Sequence, residues 1–264
     1  MKENGRVVSL IHKYLRSGVM NKSLFEASEV GTPQGGPLSP LLSNIMLNEL
    51  DKELDRRGLP FVRYADDSMI FCKSKRAAMR VKESITRFIE KALYLKVNKE
   101  KTVVSYVRGV KYLGYSFYVM KGKCQLMVHP KSKAKMKSKL KELTSRSNGW
   151  GYAKRKQKLK EYIEGWVGYY HLANMKRLLL DTDEWLRRRI RMCIWKAWKK
   201  VKTKVTNLIR CGINKYQAYE WGNTRKGYWR IADSPVLKRA IDNNKLRSVG
   251  YATLMGTYLE WHPK

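Results

Sequence analysis

The sequence predicts an α+β fold in its first half and an all-helical, strongly basic second half. Two runs rich in Phe, Val, Tyr and Ile within residues 61–71 are typical of half-buried strands, and helical apolar patterns flank them. From Pro130 onward the apolar residues keep helical spacing, and no strand-like alternation is convincing. Basic residues are concentrated in the same part, which indicates that the two halves differ in function.

Net charge is the strongest compositional signal. The 264 residues include 56 Lys and Arg against 22 Asp and Glu, a formal net charge of +34. Residues 1–120 carry 21 basic and 12 acidic side chains, whereas residues 121–264 carry 35 and 10. A field this positive attracts polyanions, and nucleic acid is the partner it favours. We predict one domain at 1–125 and a phosphate-binding domain at 126–264.

Membrane, secreted and zinc-binding classes are disfavoured. No apolar run approaches the roughly 18 residues of a membrane-spanning helix, and the opening residues lack a signal-peptide pattern. The cysteines form no Cys-x-x-Cys pair and, together with the histidines, no zinc spacing; they are Cys72, Cys124, Cys193 and Cys211. We expect free thiols in a reducing cytoplasm, no membrane and no zinc.

The first elements lead to a loop rich in glycine and proline. Apolar residues from Val7 to Leu15 predict a helix that ends at Gly18, and residues 23–30 could form a short strand. Residues 31–40 hold three Pro and three Gly, which predicts a rigid loop that a ligand can approach closely. Ser39 is then expected to cap a helix that runs to Gly58.

A β-hairpin is predicted at residues 61–71, with Asp66 and Asp67 at its tip. Taken alone, two such aspartates are more typical of an ordinary turn than of a functional site, because Asp bonds its own backbone. A helix of about 18 residues is expected next, ending near Ala92, and then a turn at residues 95–102. Residues 110–117 are a further strand candidate, and its interior glycine is typical of close approach by a ligand.

The second half is predicted to consist of basic helices. Lysines alternate from Lys131 to Lys141 around an apolar helical stripe. Asp181–Glu184 is expected to cap the helix that follows it, where acids complement the helix dipole. That arrangement would leave a basic face free for RNA, formed by Arg187, Arg188 and Arg191.

In this order the segments resemble the palm of a reverse transcriptase, specifically the enzymes encoded by bacterial group II introns. The matching residues of the first half are Thr32–Asn44, Tyr64–Asp67, Asn98–Thr102 and Tyr112–Tyr115. Further segments in the second half are similar to the maturase, or thumb, domain of that family: Gly165–Tyr170, Trp185–Arg191, and Trp221–Asn223 together with Lys226–Trp229. The resemblance implies a partial palm, an antiparallel sheet with packed helices, followed by a helical thumb.

The resemblance also implies roles for individual residues. Asp66 would bind Mg²⁺ and Asp67 would support it, and Lys101 would be a general acid, with a merely solvated turn lysine as the alternative. Gln34 and Gly35 would line the incoming nucleotide, Tyr64 and Ala65 would contact substrate, and Leu113 and Gly114 would hold the primer strand. The predicted RNA-binding residues are Lys131, Lys135, Arg187, Arg188 and Arg191.

The palm of this family carries a further catalytic aspartate on a strand that precedes the glycine-rich loop, in a Phe-Asp-x-x-x-His segment. No such segment occurs before Gly31. We therefore expect the C-terminal part of a reverse transcriptase, without the fingers and first catalytic strand, and inactive as a polymerase alone.

Three hypotheses remain at this point: a Mg²⁺-dependent RNA-directed DNA polymerase, a maturase that binds RNA without chemistry, and a remnant of a truncated gene. The expected partners are group II intron RNA and an RNA/DNA primer-template in a bacterial cytoplasm, and a homodimer is left open.

Overall fold

A computed structural model describes residues 5–21, 24–26 and 36–262. The chain divides into two compact units, Met1–Ser105 (unit 1) and Tyr106–Lys264 (unit 2). Both units are rich in helix, and their sheets are small and antiparallel. The domain limits of 1–125 and 126–264 stay a prediction. Among the described residues no helix is both long and apolar enough to cross a membrane.

Unit 1 contains three helices and two hairpins among its described residues. They are α1 (Gly5–Arg16), β1 (Val19–Asn21), β2 (Leu24–Glu26), α2 (Ser39–Arg56), β3 (Phe61–Tyr64), β4 (Asp67–Ile70) and α3 (Lys75–Ala92). Strand β1 pairs antiparallel with β2, and β3 pairs antiparallel with β4. The predicted hairpin at 61–71 and the 18-residue helix after it are both confirmed. At α2 the capping position is Leu38, so the predicted cap at Ser39 is wrong by one residue, whereas proline does occupy the first turn.

The core of unit 1 holds the β3–β4 hairpin against two helices. Leu50 and Leu54 of α2 are buried together with Ile85 of α3. Phe61 and Ile70, which face each other across the hairpin, pack against this cluster. The alternating burial of β3 follows from the period-2 pattern of a strand. The hairpin tip is therefore carried on a base of two helices.

Unit 2 begins with one hairpin and continues as helices. The hairpin joins β5 (Tyr115–Met120) to β6 (Lys123–Val128), which are antiparallel. Nine helices follow among the described residues: α4 (Pro130–Leu143), α5 (Tyr152–Tyr170), α6 (Lys176–Ala197), α7 (Val201–Arg210), α8 (Lys215–Gly222), α9 (Tyr228–Ile231), α10 (Pro235–Ala240), α11 (Asn243–Ser248) and α12 (Leu254–Glu260). Helices α4, α5 and α6 bury the apolar stripes that their sequences predict, including Met136, Leu140, Ile163 and Leu186.

The strand predicted at 110–117 is wrong in its first half. A short 3₁₀ helix occupies Val107–Gly109, and β5 begins only at Tyr115. Between them Leu113 and Gly114 have φ angles of +48° and +81°. That left-handed backbone is incompatible with an extended strand, so the segment turns. The glycine marks this turn and not a strand interior.

The helix predicted to start after Asp181–Glu184 is longer than expected. Helix α6 begins at Lys176, so these acids lie inside it and do not cap it. Asp183 is 1% exposed, and its two carboxylate oxygens accept hydrogen bonds of 2.9 Å from the backbone N–H groups of Leu254 and Met255. It thus caps α12, whose first N–H groups lack helical partners. Burial raises the pKa of Asp183, and the two backbone N–H groups oppose that rise.

We predict that Asp183→Ala strongly destabilises unit 2. One buried and one partly buried N–H group would lose their acceptor, which costs about 2 kcal/mol or more of unfolding free energy. Urea denaturation followed by circular dichroism measures the change. Asp181→Ala, which removes an exposed acid from the same helix, is the matched control and should leave stability nearly unchanged. Equal stability of the two variants would show that the cap contributes nothing.

Candidate functional site

The two adjacent aspartates lie at the tip of the β3–β4 hairpin. Tyr64 pairs with Asp67 across the strands, so Ala65 and Asp66 form the two-residue turn. Both carboxylates are exposed, and Tyr64 beside them is 66% exposed. Ala65 has a φ of +52°, a conformation that costs a residue other than glycine about 1 kcal/mol or more. The tip thus presents its polar groups outward on a strained turn.

Arg63 holds this turn against α2. Its Nε donates to Asp51 Oδ1 at 2.7 Å, and Nη2 donates to the other oxygen of the same carboxylate. The third nitrogen, Nη1, donates to Asn44 Oδ1 and to the carbonyl oxygen of Ala65, both at 2.9 Å. Such a bidentate, charge-assisted pair fixes geometry as well as contributing energy. One guanidinium therefore fixes the strained turn to a helix.

Lys101 lies in a turn that is itself anchored. Asn98 Oδ1 accepts from the Lys101 N–H at 3.1 Å, and Thr102 Oγ1 donates to the Asn98 carbonyl oxygen at 2.7 Å. Lys82 of α3 donates to the carbonyl oxygen of Thr102 at 2.6 Å. The predicted turn is confirmed, and the exposed Lys101 side chain projects from a fixed backbone.

The hairpin meets only part of what a two-metal centre requires. Mg²⁺ takes one or two carboxylates from a protein and completes its shell with water and phosphate oxygens, so Asp66 and Asp67 suit one ion. Within residues 5–21, 24–26 and 36–262, no three His, Cys, Asp or Glu side chains are grouped to hold a metal. Two ions held about 4 Å apart need further carboxylates. The two adjacent carboxylates of the hairpin are fewer ligands than such a centre needs.

A second candidate site is an open cleft of about 340 Å³ on unit 2. It lies between the Leu113–Gly114 turn and helices α4 and α5. Its floor is aromatic and its rim is basic, with Lys111, Lys131 and Lys135 exposed. The aromatic lining consists of Tyr162, Trp166, Tyr169 and Tyr170. Cations beside aromatic faces are typical of surfaces that bind nucleic-acid strands.

Hydrogen bonds fix the Leu113–Gly114 turn in the cleft. Tyr169 Oη donates to the Leu113 carbonyl oxygen at 2.9 Å. The Gly114 carbonyl oxygen accepts from the His129 N–H and from Ser132 Oγ, both at 3.0 Å. A Cβ on Gly114 would lie 2.3 Å from Tyr170 Oη, so only glycine fits beside this ring.

Two residues beside the cleft, His129 and Tyr115, have shifted pKa values. Burial lowers the pKa of His129, and the nearby charges of Lys111, Lys131 and Lys133 lower it further. The Tyr115 ring lies 5.2 Å from that of Tyr170, centroid to centroid. Burial, followed by Tyr169 and Tyr170, raises the pKa of Tyr115 to about 12. The three exposed lysines at the rim favour anionic ligands.

The arginines of α6 are largely used inside the protein. Arg191 is 6% exposed, and it donates to the Ile241 carbonyl oxygen at 2.8 Å and to Asn243 Oδ1 at 3.1 Å. Arg188 stacks 3.9 Å from the Trp229 ring centroid and pairs with Asp233. The expectation of a free basic face is therefore wrong for Arg188 and Arg191. An RNA contact by the half-buried Arg187 stays a prediction.

The predicted site residues fall into separate groups. Leu113, Gly114, Lys131 and Lys135 meet in the unit 2 cleft, whereas Tyr64, Ala65, Asp66, Asp67 and Lys101 belong to unit 1. Gln34 and Gly35 lie outside the described residues. Sequence reasoning did not assign Lys111 or the cleft aromatics to the site, although the run Gly165–Tyr170 already marked most of the rings as a motif.

Comparisons with known protein families match two segments of the chain. Residues 2–117 match the reverse transcriptase (RNA-dependent DNA polymerase) family. This range includes the Asp66–Asp67 hairpin and the Leu113–Gly114 turn. Residues 133–212 match the group II intron, maturase-specific domain, which contributes α5 and most of α4 to the cleft. Helices α8 to α12 lie beyond both matched ranges.

Curated relatives agree with these matches. Protein YkfC of Escherichia coli is 31% identical, and the alignment covers 42% of this chain and 39% of YkfC. Group II intron-encoded protein LtrA of Lactococcus lactis is 27% identical, over 43% of this chain and 30% of LtrA. The retron Ec86 reverse transcriptase of Escherichia coli is 32% identical, over 28% of this chain and 24% of its own length. The chain thus spans well under half the length of these relatives.

We predict that Gly114→Ala costs more stability than Gly122→Ala. Both glycines have a positive φ, +81° and +74°, so both alanine variants pay about 1 kcal/mol of backbone strain. Only at Gly114 would the added methyl group collide with Tyr170, whose ring is held by its neighbours. The extra cost should be about 1 kcal/mol or more.

Urea denaturation of the two variants measures the difference in unfolding free energy. Open space surrounds Gly122, so Gly122→Ala reports the backbone strain without a steric clash. Identical losses would show that Tyr170 moves aside freely, and that the turn and ring do not form a fixed wall of the cleft.

Proposed function

Because the chain carries a reverse transcriptase domain and a group II intron maturase-specific domain, we propose that it binds group II intron RNA and primer-template strands through the unit 2 cleft. We further propose that its Asp66–Asp67 hairpin supplies carboxylates to a Mg²⁺-dependent nucleotidyl-transfer centre. In this proposal residues 1–125 act as part of a palm and residues 126–264 as a thumb.

The lining of the unit 2 cleft is the main support for the proposed RNA binding. It combines three exposed lysines, four aromatic side chains and a fixed backbone turn within one concave surface. Lysines neutralise phosphates without regard to sequence, and aromatic faces accept unstacked bases. Leu113 and Gly114 lie against these groups, which supports a contact with the strand that the cleft holds.

In the hairpin, Arg63 keeps the turn in place and thereby orients the two carboxylates. Asp66 and Asp67 would hold Mg²⁺, which when bound neutralises charge that develops on the transferred phosphate. Lys101, if it reaches the leaving group, would donate a proton to it. Successive side chains of a strand diverge, so one hairpin cannot surround two ions. We propose that the 264-residue chain alone binds RNA but does not extend a primer.

We predict that Lys131→Gln, Lys135→Gln lowers both the affinity for structured intron RNA and its dependence on salt. Each lost lysine–phosphate contact should reduce the slope of log K against log salt concentration by about 1, so the pair reduces it by about 2. Filter binding of the full chain from about 50 to 200 mM salt measures the slope.

The matched control is Lys139→Gln, Lys158→Gln, which removes the same charge, one lysine from α4 and one from α5. These two lysines pair with Glu142 and Glu161 and do not line the cleft. The control should keep nearly the parent slope. A control that behaves like the cleft variant would mean that net charge, and not the cleft, binds RNA.

A further inference from the structure

Helices α7 and α8 form a helical hairpin, residues 199–226, that the proposed function does not use. The two helices pack closely through Val205 and Leu208 of α7 and Ala218 of α8, all buried. A Cβ on Gly222 would lie 2.6 Å from a methyl group of Val205, so the glycine permits this approach. Helix α8 lies beyond residue 212, where the maturase match ends.

The helical hairpin carries a large unbalanced charge. Residues 199–226 include eight Lys and Arg but a single acid, Glu220. Among the residues that the structure describes, none of the ion pairs involves this segment. Unpaired charges of one sign repel one another, and a polyanion relieves that repulsion. The charge therefore favours nucleic acid over a protein partner.

Two tyrosines project from the outer face of α8. Tyr216 is 82% exposed and Tyr219 is 52% exposed, whereas Ala218 and Gly222 face α7. Residues three apart are neighbours on a helix surface, so the two rings belong to one patch. Neither ring is counted among the core residues of unit 2 that the structure describes.

The patch is held on a rigid element. Asn214 Oδ1 accepts from the Gln217 N–H at 2.8 Å and caps the start of α8. At its end Asn223 Nδ2 donates to the Tyr219 carbonyl oxygen at 2.8 Å. Lys226 lies 5.0 Å from the Trp221 ring centroid, which places a cation beside the same helix. Aromatic rings fixed next to cations suit bases and phosphates respectively.

We infer that Tyr216 and Tyr219 form a stacking platform for single-stranded nucleic acid, with Lys215, Arg225 and Lys226 against its phosphates. In a duplex the base faces are stacked on one another and cannot meet a protein ring, whereas a single strand exposes them. Every base has such a face, so the platform should bind DNA and RNA strands without sequence preference. This surface is separate from the Leu113–Gly114 cleft, and the inference does not rest on the cleft's role.

The test compares Tyr216→Ala, Tyr219→Ala with Tyr216→Phe, Tyr219→Phe in the full chain. The probes are fluorescein-labelled oligo(dT) and oligo(U) of about twelve nucleotides, and a DNA duplex of equal length. Fluorescence anisotropy should show single-strand binding weakened at least about tenfold by the alanine pair. The phenylalanine pair keeps the ring faces and should bind like the parent chain, and duplex binding should not change in either variant.

Equal single-strand binding by the alanine pair would overturn the inference, and so would an equal loss in the alanine and phenylalanine pairs. A loss of duplex and single-strand binding together would also overturn it, because charge alone would then account for both. Structured intron RNA serves as a separate probe. If the parent chain fails to bind it, the proposed function fails, while the platform is still judged by the single-strand probes.

Discussion

The hydrogen bonds of the Arg63 guanidinium are the interactions on which the β3–β4 hairpin of unit 1 depends. The guanidinium binds three partners at once: the Asp51 carboxylate, the Asn44 side chain and the Ala65 carbonyl oxygen. The side chains of Arg63 and Asp51 are 13% and 22% exposed, so the pair is well shielded from water. A shielded, bidentate pair holds its geometry better than a surface ion pair. Through this pair the backbone of the turn at Ala65 is held to α2, directly beside Asp66 and Asp67.

The basic residues of unit 2 include buried or half-buried arginines that bind internal acceptors and lysines that remain exposed. Arg189 and Arg191 donate to backbone carbonyls and side-chain oxygens of neighbouring helices, and burial lowers the pKa of both. These arginines hold the helices together. Lys111, Lys131 and Lys135 instead remain exposed at the cleft rim. The arginine fork suits fixed internal acceptors, whereas the lysine ammonium group on a flexible stem suits mobile phosphates.

Local patterns predicted the elements that depend on local physics. The period-2 pattern predicted the β3–β4 hairpin, and apolar stripes at helical spacing predicted α3 and α4. Hydrogen-bond partners that are distant in the sequence could not be predicted from local patterns. Asp183 looks like a helix cap in the sequence and is one, but for α12, about seventy residues away. Arg191 looks like a surface residue because its acceptors, at Ile241 and Asn243, lie on a distant segment. The Leu113–Gly114 turn was misassigned because strand propensity does not reveal a positive φ at leucine.

Primer extension by the 264-residue chain tests most directly whether the Asp66–Asp67 hairpin is one part of a larger catalytic centre. The assay uses a DNA primer on an RNA template with Mg²⁺, and the reference is the Asp66→Asn, Asp67→Asn variant. Removing ligands that stabilise the transition state costs several kcal/mol, and each 1.36 kcal/mol is tenfold in rate. We expect no extension above the reference, because the described residues offer two adjacent carboxylates and no third beside them. Robust extension by the chain alone, abolished by the two substitutions, would contradict this account.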